Sequence, residues 1–173
     1  MAYNLVVPVK QVPDTKRITG DAMKEDGTVN RGALPAIFNP EDLFALEAAL
    51  AITDAHGGRV TVLTMGPPTA CEALREALER GADDAILLTD RRAAASDTLA
   101  TSYILACAVR KLGEAAPVDM VVAGRQAIDG DTAQVPPQMA EKLGWPQVTY
   151  VEAVESAADG RLRVRRNMGA GWE

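Results

Sequence analysis

Four short apolar runs, each followed by a segment with helical spacing of apolar residues, constrain the fold more than any other feature of this chain. The runs cover residues 5–9, 59–64, 85–89 and 120–123. Short runs rich in aliphatic and β-branched residues are typical of buried strands, and strands that alternate with helices form parallel sheets. The sequence therefore predicts an α/β domain with a mainly parallel sheet and helices on both faces.

Glycine, proline and capping residues predict where the helices begin and end. Asn39 precedes a proline and two acids, which is typical of a helix start, and Gly57 ends that helix. Ser96-Asp97-Thr98 can cap a later helix that ends at Gly113, and Gly144 ends the last one.

Two further segments favour antiparallel pairs. Asp26-Gly27 is a hairpin-type turn signal and predicts a small antiparallel excursion after the first strand. Residues 147–154 and 161–166 alternate in polarity and predict two strands joined by a turn at Asp159-Gly160.

Length and composition predict one domain spanning residues 1–173 and exclude several functions. With a net charge of -6 and 4% aromatic residues, the chain lacks the basic and stacking surfaces of a nucleic-acid binder. It has no apolar run near the roughly 20 residues that span a bilayer, so membrane insertion is not expected. The amino terminus lacks a secretory pattern, and Cys71 and Cys107 are interpreted as buried, reduced thiols, which favours the cytoplasm.

Four predicted loops follow the carboxyl ends of the strands, at residues 8–11, 64–67, 90–98 and 124–134. Those ends lie together in a parallel sheet, so the loops are expected to converge on one crevice suited to a phosphate-bearing ligand. The groups that suit a nucleotide are glycines for close backbone approach, hydroxyls, carboxylates and one guanidinium: Gly66, Gly124, Gly130, Thr98, Thr132, Asp129, Asp131 and Arg125.

Each of these residues also has a simpler interpretation. Asp131 and Thr132 could cap a helix, and Asn39 is better read as a cap than as a ligand contact. Lys10 and Arg91 are equally well explained as solvated charges. Because neither GxGxxG nor GxxxxGK[ST] is present, the residues alone predict a nucleotide-binding α/β domain of unspecified function.

Several motifs together resemble the β subunit of electron transfer flavoproteins, in order and spacing, over essentially the whole chain. They are Lys10-Gln11-Val12-Pro13-Asp14-Thr15, Asn39-Pro40-x-Asp42-x-x-Ala45-Leu46-Glu47, Thr64-Met65-Gly66-Pro67-Pro68, Arg80-Gly81-Ala82-Asp83, Asp97-Thr98-Leu99-Ala100-Thr101-Ser102 and Gly124-Arg125-Gln126-Ala127-Ile128-Asp129-Gly130-Asp131-Thr132-Ala133-Gln134-Val135. The resemblance implies a Rossmann-like sheet of the adenine-nucleotide α-hydrolase-like type.

The resemblance also implies a ligand and partners. Members of this family pair with an α subunit and carry electrons between flavin dehydrogenases, such as acyl-CoA dehydrogenases, and other redox partners. The β subunit holds AMP in many members and a second FAD in the electron-bifurcating members, where that FAD takes a hydride from NADH. The last two motifs are more similar to the bifurcating type, so FAD is favoured over AMP.

The implied cofactor contacts are taken over position by position. They are Pro8, Asn39, Met65, Gly66, Thr98, Gly124, Arg125, Gln126, Ala127, Ile128, Asp129, Gly130, Asp131, Thr132, Ala133, Gln134 and Val135. Of these, Thr98 is implied as a contact only when the ligand is FAD. The flavin supplies its own redox chemistry, so no catalytic side chain and no metal are expected, and any enzymatic role is limited to NADH oxidation at the flavin.

Three departures from the family pattern accompany the resemblance. Pro136 stands where a glycine is expected, and two successive prolines should distort the helix start or move it later. Residues 93–96 are alanines and a serine where glycines are usual. Family members are longer, so we expect a truncated chain that lacks the partner-docking segment and the arm that embraces the α subunit. A non-redox AMP- or ATP-binding module of the universal-stress type is the alternative.

Overall fold

The computed structural model describes residues 2–14, 16–17, 34–158 and 160–173. The strands in chain order are β1 (Tyr3–Pro8), β2 (Gln11–Pro13), β3 (Ala36–Phe38), β4 (Gly58–Met65), β5 (Asp84–Leu88), β6 (Met120–Val121), β7 (Val151–Ala158) and β8 (Arg161–Arg166). The helices are α1 (Pro40–His56), α2 (Cys71–Glu79), α3 (Thr98–Ala115) and α4 (Val135–Leu143).

A four-stranded parallel sheet in the order β5-β4-β1-β6 forms the centre of the fold. In β1, Leu5 lies beside Val60 of β4 and Met120 of β6. The four predicted strands are therefore present, and the α/β prediction is confirmed. The fourth strand is shorter than predicted, since β6 has two residues.

Apolar side chains cover both faces of this sheet. One face packs Val60 and Val62 against α1 and α2, with Leu46 and Ala77 in the same cluster. On the opposite face, five buried side chains from the sheet, α3 and α4 form a second cluster: Val6, Leu63, Leu105, Val109 and Met139. The alternating side-chain direction of a strand sends neighbours of β1 to opposite faces, which explains why both faces are apolar.

The predicted capping segment of α3 contains its side-chain cap, and the predicted end of that helix is wrong. Asp97 accepts a hydrogen bond from the Ala100 N–H at 2.7 Å, so it caps α3. That helix continues through Gly113 to Ala115. Glycine inside a helix costs only about 1 kcal/mol relative to alanine, so the residue is tolerated there. Gly144, in contrast, has a φ of 69° and ends α4 as predicted.

Two antiparallel pairs flank the central sheet. β2 pairs with β3, which confirms an antiparallel excursion, while the Asp26-Gly27 turn lies outside the described residues. β7 pairs with β8, with Ala158 opposite Arg161. The strand predicted at 147–154 begins only at Val151, because Tyr150 has a φ of 56°, which interrupts an extended backbone.

Within the described part of the chain, no helix is long and apolar enough to cross a membrane. Cys71 and Cys107 are free thiols, as predicted, but each is half-buried rather than buried.

The two large apolar side chains Leu46 and Phe44 on α1 provide a test of this core. Leu46 is 1% exposed and Phe44 is 77% exposed. We expect Leu46→Ala to lower the free energy of unfolding by about 2–5 kcal/mol, because it leaves a cavity. Phe44→Ala should change it by less than about 0.5 kcal/mol. Urea denaturation measures both, and equal losses would contradict the packing described.

Candidate functional site

A cleft of about 790 Å³ lies at the carboxyl ends of the parallel strands. Residues from all four predicted loops line it, which confirms that the loops converge. The predicted contact residues that line the cleft are Pro8, Met65, Gly66, Thr98, Gly124, Arg125, Gln126, Ala127, Gly130, Asp131, Thr132, Ala133, Gln134 and Val135. The other three predicted contacts, Asn39, Ile128 and Asp129, are not among its lining residues.

Asn39 holds the loop that follows β6. Its side chain is fully buried, with Nδ2 donating to the Gln126 carbonyl at 2.9 Å and Oδ1 accepting from the Ile128 N–H at 3.2 Å. Asn39 occupies the N-cap position of α1, but its side chain makes no capping hydrogen bond to that helix. Its amide therefore positions the loop, and the predicted side-chain cap is not formed.

Asp129 does not line the cleft and is paired with Lys10. The Lys10 Nζ lies 2.6 Å from the Asp129 carboxylate, which is 9% exposed. Lys10 is therefore not simply a solvated charge, and the Asp129 oxygen proposed for a ribose hydroxyl already has a partner. This ion pair connects the end of β1 to the loop.

The capping interpretation of Asp131 and Thr132 is wrong, because α4 begins later, at Val135. The Asp131 carboxylate instead accepts a hydrogen bond from the Gln126 side chain at 2.8 Å. Pro136 lies in the first turn of α4, where backbone N–H groups have no acceptor within the helix, so proline is tolerated. The helix thus begins at Val135 and includes both prolines in its first turn.

The amino termini of α3 and α4 both border the cleft. The Thr98 hydroxyl donates to the Gln134 side-chain oxygen at 2.9 Å, which links the two helix starts. Helix amino termini carry partial positive charge and attract anions, although Asp97 already occupies part of the α3 terminus. Thr101 and Thr132 add hydroxyl groups to the same wall.

The backbone at Gly124 makes a close approach, as predicted, but it approaches the start of α1 and not a ligand. A Cβ at this position would lie 2.3 Å from the Asp42 Oδ1 and 2.8 Å from the Glu41 carbonyl carbon. Gly130 differs, because a Cβ there would meet nothing within 4 Å. The first glycine is therefore needed for packing, and the second leaves open space at the cleft.

Asp42 lines the cleft, although the sequence pointed to it only as an acid in the first helical turn and as part of the Asn39-Pro40-x-Asp42 motif. It is 7% exposed, and its Oδ2 accepts the Lys10 N–H at 2.8 Å. Burial raises the pKa of this carboxyl to about 7, against the opposing effects of hydrogen bonds from Asn39 and Lys10 and of the Lys10 charge. The Asn-Pro-x-Asp spacing was the available signal.

Three non-glycine residues with left-handed backbone also line the cleft. Ala95, Asp131 and Ala133 have φ values of 59°, 52° and 52°. Such conformations are uncommon outside glycine and concentrate at binding sites. The left-handed Ala95 lies in the segment where the family resemblance led us to expect glycines, which explains that expectation.

Two arginines complete the charge distribution of the cleft. The Arg125 guanidinium pairs with Glu41 at 2.8 Å. Its charge is therefore balanced by a carboxylate and is not free to bind a phosphate. Arg91 lines the cleft, is exposed, and has no ion pair with any residue of the described part of the chain.

The chain matches the Electron transfer flavoprotein domain family over residues 26–172. The chain belongs to this family. It is 54% identical over 98% of its length to an electron transfer flavoprotein subunit beta of Clostridium acetobutylicum, and 54% identical over 97% of its length to Protein FixA of Azorhizobium caulinodans. It is also 50% identical over 98% of its length to the Caffeyl-CoA reductase-Etf complex subunit CarD of Acetobacterium woodii.

The chain spans 63%, 60% and 63% of the lengths of these three relatives, respectively. The family match confirms the resemblance drawn from the motifs, and it does not favour the universal-stress type of module.

Gly124 and Gly130 are a matched pair for testing the geometry of the loop. We expect Gly124→Ala to lower the free energy of unfolding by about 1–3 kcal/mol, since the new methyl group would overlap the backbone of α1. Gly130→Ala should leave stability within about 0.5 kcal/mol of the wild type. Thermal or urea denaturation of both variants measures the difference, and a stable Gly124→Ala protein would contradict the described contact.

Proposed function

We propose that this chain is the nucleotide-binding β subunit of an electron transfer flavoprotein, and that its cleft holds FAD. Together with an α subunit it carries electrons between a flavin dehydrogenase, such as an acyl-CoA dehydrogenase, and other redox partners in the cytoplasm. NADH is the proposed electron donor, as in the bifurcating members that the motifs resemble.

The continuity of the cleft is the observation that carries the choice of FAD. The lining includes two parts: residues 124–127 and 130–135 from the loop after β6, and residues 89–91 and 93–98, which lead into α3. AMP contains only the adenylate half of FAD, so AMP alone needs only one of these parts. The volume of about 790 Å³ lies in the upper part of the roughly 300–1,000 Å³ range of ligand pockets.

The residues present are chemically suited to a flavin dinucleotide. The hydroxyl of Thr132 and the backbone N–H groups at the starts of α3 and α4 suit the diphosphate, while the Thr98 hydroxyl holds the two helix starts together through Gln134. The open space at Gly130 admits a ligand close to the backbone. Apolar Met65 and Pro8 offer surface for a ring system.

The bound flavin would supply the redox chemistry. The chain would supply binding and orientation, and its walls of backbone and small side chains would restrict water around the cofactor. The loop held by Asn39 and Lys10 would keep the two parts of the cleft at fixed positions relative to each other.

The relatives support a redox partnership of this kind. The name of one relative places it in a caffeyl-CoA reductase-Etf complex, and that of another, 52% identical and from Anaerotignum propionicum, is the electron transfer subunit gamma of an acryloyl-CoA reductase. A reductase acting on a CoA thioester is therefore the class of partner that we propose for this chain.

Thr98→Val tests whether both parts of the cleft serve one ligand. The change keeps the β-branched shape but removes the hydroxyl that bonds Gln134 and links the starts of α3 and α4, where the FAD diphosphate is proposed to bind. We therefore expect FAD binding to weaken by about tenfold while AMP binding is unchanged. Fluorescence titration with FAD and calorimetric titration with AMP give the two Kd values. Thr69→Val, at an exposed position that does not line the cleft, is the matched control and should alter neither.

Equal weakening of both ligands in Thr98→Val would place Thr98 beside the adenylate half that both ligands share, and it would contradict the assignment of this part of the cleft to the rest of FAD. No binding of either ligand by the wild-type protein would overturn the nucleotide site itself.

A further inference from the structure

We propose that Asp42 couples nucleotide binding to proton uptake, so that the cleft binds its ligand more tightly when this carboxyl is protonated. The inference rests on the proposed nucleotide site and concerns a residue to which the cofactor assignment gives no role. Asp42 is proposed as a positioning residue, because its carboxyl acts through the segments that it holds together.

The geometry around Asp42 is unusual for a carboxylate. The side chain is buried, one oxygen accepts a backbone N–H from Lys10, and the other faces the backbone of Gly124. Among the described residues no cation pairs with it, since the Lys10 Nζ is committed to Asp129. Burying a charge without a cationic partner is costly, so the neutral form is favoured.

Charged groups approach Asp42 from every neighbouring element. Glu41 precedes it on α1, Lys10 follows β1, and the loop after β6 brings Arg125 and Asp129. Arg125 is paired with Glu41 and Lys10 with Asp129, so both cations are largely neutralised by other acids. Further around the cleft lie the more distant charged groups Asp90, Arg91, Asp97 and Asp131.

A nucleotide entering the cleft would raise the pKa of Asp42 through two separate effects. The ligand would displace water from the cleft wall to which Asp42 belongs, and its phosphates would add negative charge. Both effects disfavour the carboxylate, so binding raises the pKa of Asp42 above its value of about 7 in the free protein. The protein therefore takes up a fraction of a proton on binding near neutral pH.

The sign of the pH dependence follows from this linkage. Affinity is highest where Asp42 is protonated in both states, below about pH 7. It falls as the pH rises between the pKa of the free protein and that of the complex, by at most about tenfold per pH unit for one proton.

Isothermal titration calorimetry with AMP tests the proposal. The purified protein, with any α subunit that copurifies, is freed of bound nucleotide and titrated from pH 7 to pH 9. In this range the AMP phosphate, whose second pKa is about 6, stays doubly ionised. Titrations in buffers of different ionisation enthalpy give the number of protons taken up per AMP bound. We expect uptake near pH 7 to 8 and a Kd that increases with pH.

Two variants test whether Asp42 is the group that takes up the proton. Asp42→Asn imitates the neutral carboxyl, so it should bind AMP with a Kd independent of pH in this range and more tightly than the wild type at pH 9. Asp90→Asn is the control, because Asp90 lines the same cleft while its hydrogen bonds with Arg92 lower its pKa to about 2. This variant should keep the wild-type proton uptake.

The outcomes separate the two proposals. AMP binding by the wild type without proton uptake would overturn the role of Asp42 and leave the nucleotide site intact. Proton uptake that persists in Asp42→Asn would also overturn it, since another group would then carry the proton. Failure of the wild type to bind AMP or FAD would overturn the proposed function and this inference with it.

Discussion

The contact between the amino terminus of α1 and the loop after β6 is the constraint on which the site depends. Gly124 lies so close to this helix that a Cβ would come within 2.8 Å of the Glu41 carbonyl carbon. The buried Asn39 amide then bonds the backbone of Gln126 and Ile128. Because β6 pairs with β1 through only two residues, the sheet itself fixes little of the loop, and these contacts supply the rest.

The same contacts decide which groups remain for a ligand. Lys10, Asp129, Arg125 and Asn39 hold the loop or pair with one another, so few charged side chains are left facing the cleft. Backbone N–H groups, threonine hydroxyls and the starts of α3 and α4 provide the polar surface instead. These groups suit the binding and orientation of a cofactor, which is the role that we propose for the cleft. A cofactor that performs its own electron transfer is the chemistry such a site suits.

The sheet, most helix boundaries and the convergence of the four loops could be predicted from the sequence, because these features depend on local periodicity and on the positions of proline and glycine. The sequence was insufficient where distant contacts decide the outcome. Asn39 and Gln126 are 87 residues apart and Lys10 and Asp129 are 119 apart, so their pairing could not be read from spacing. The continuation of α3 through Gly113 and the late start of β7 were also missed, since each depends on backbone angles that several residue types adopt. The buried state of Asp42 belongs to the same class, because only the fold brings Gly124 against it.

The most direct test of the central claim is the nucleotide content of the chain purified in complex with the proposed α subunit. Acid extraction followed by chromatography and mass spectrometry identifies and counts the released nucleotides. A second FAD beyond the one assigned to the α subunit, with no AMP, is the result predicted by a cleft that extends from the loop at 124–135 to the start of α3. One FAD with one AMP would contradict the FAD assignment, and a stable complex that releases neither from this chain would contradict the site.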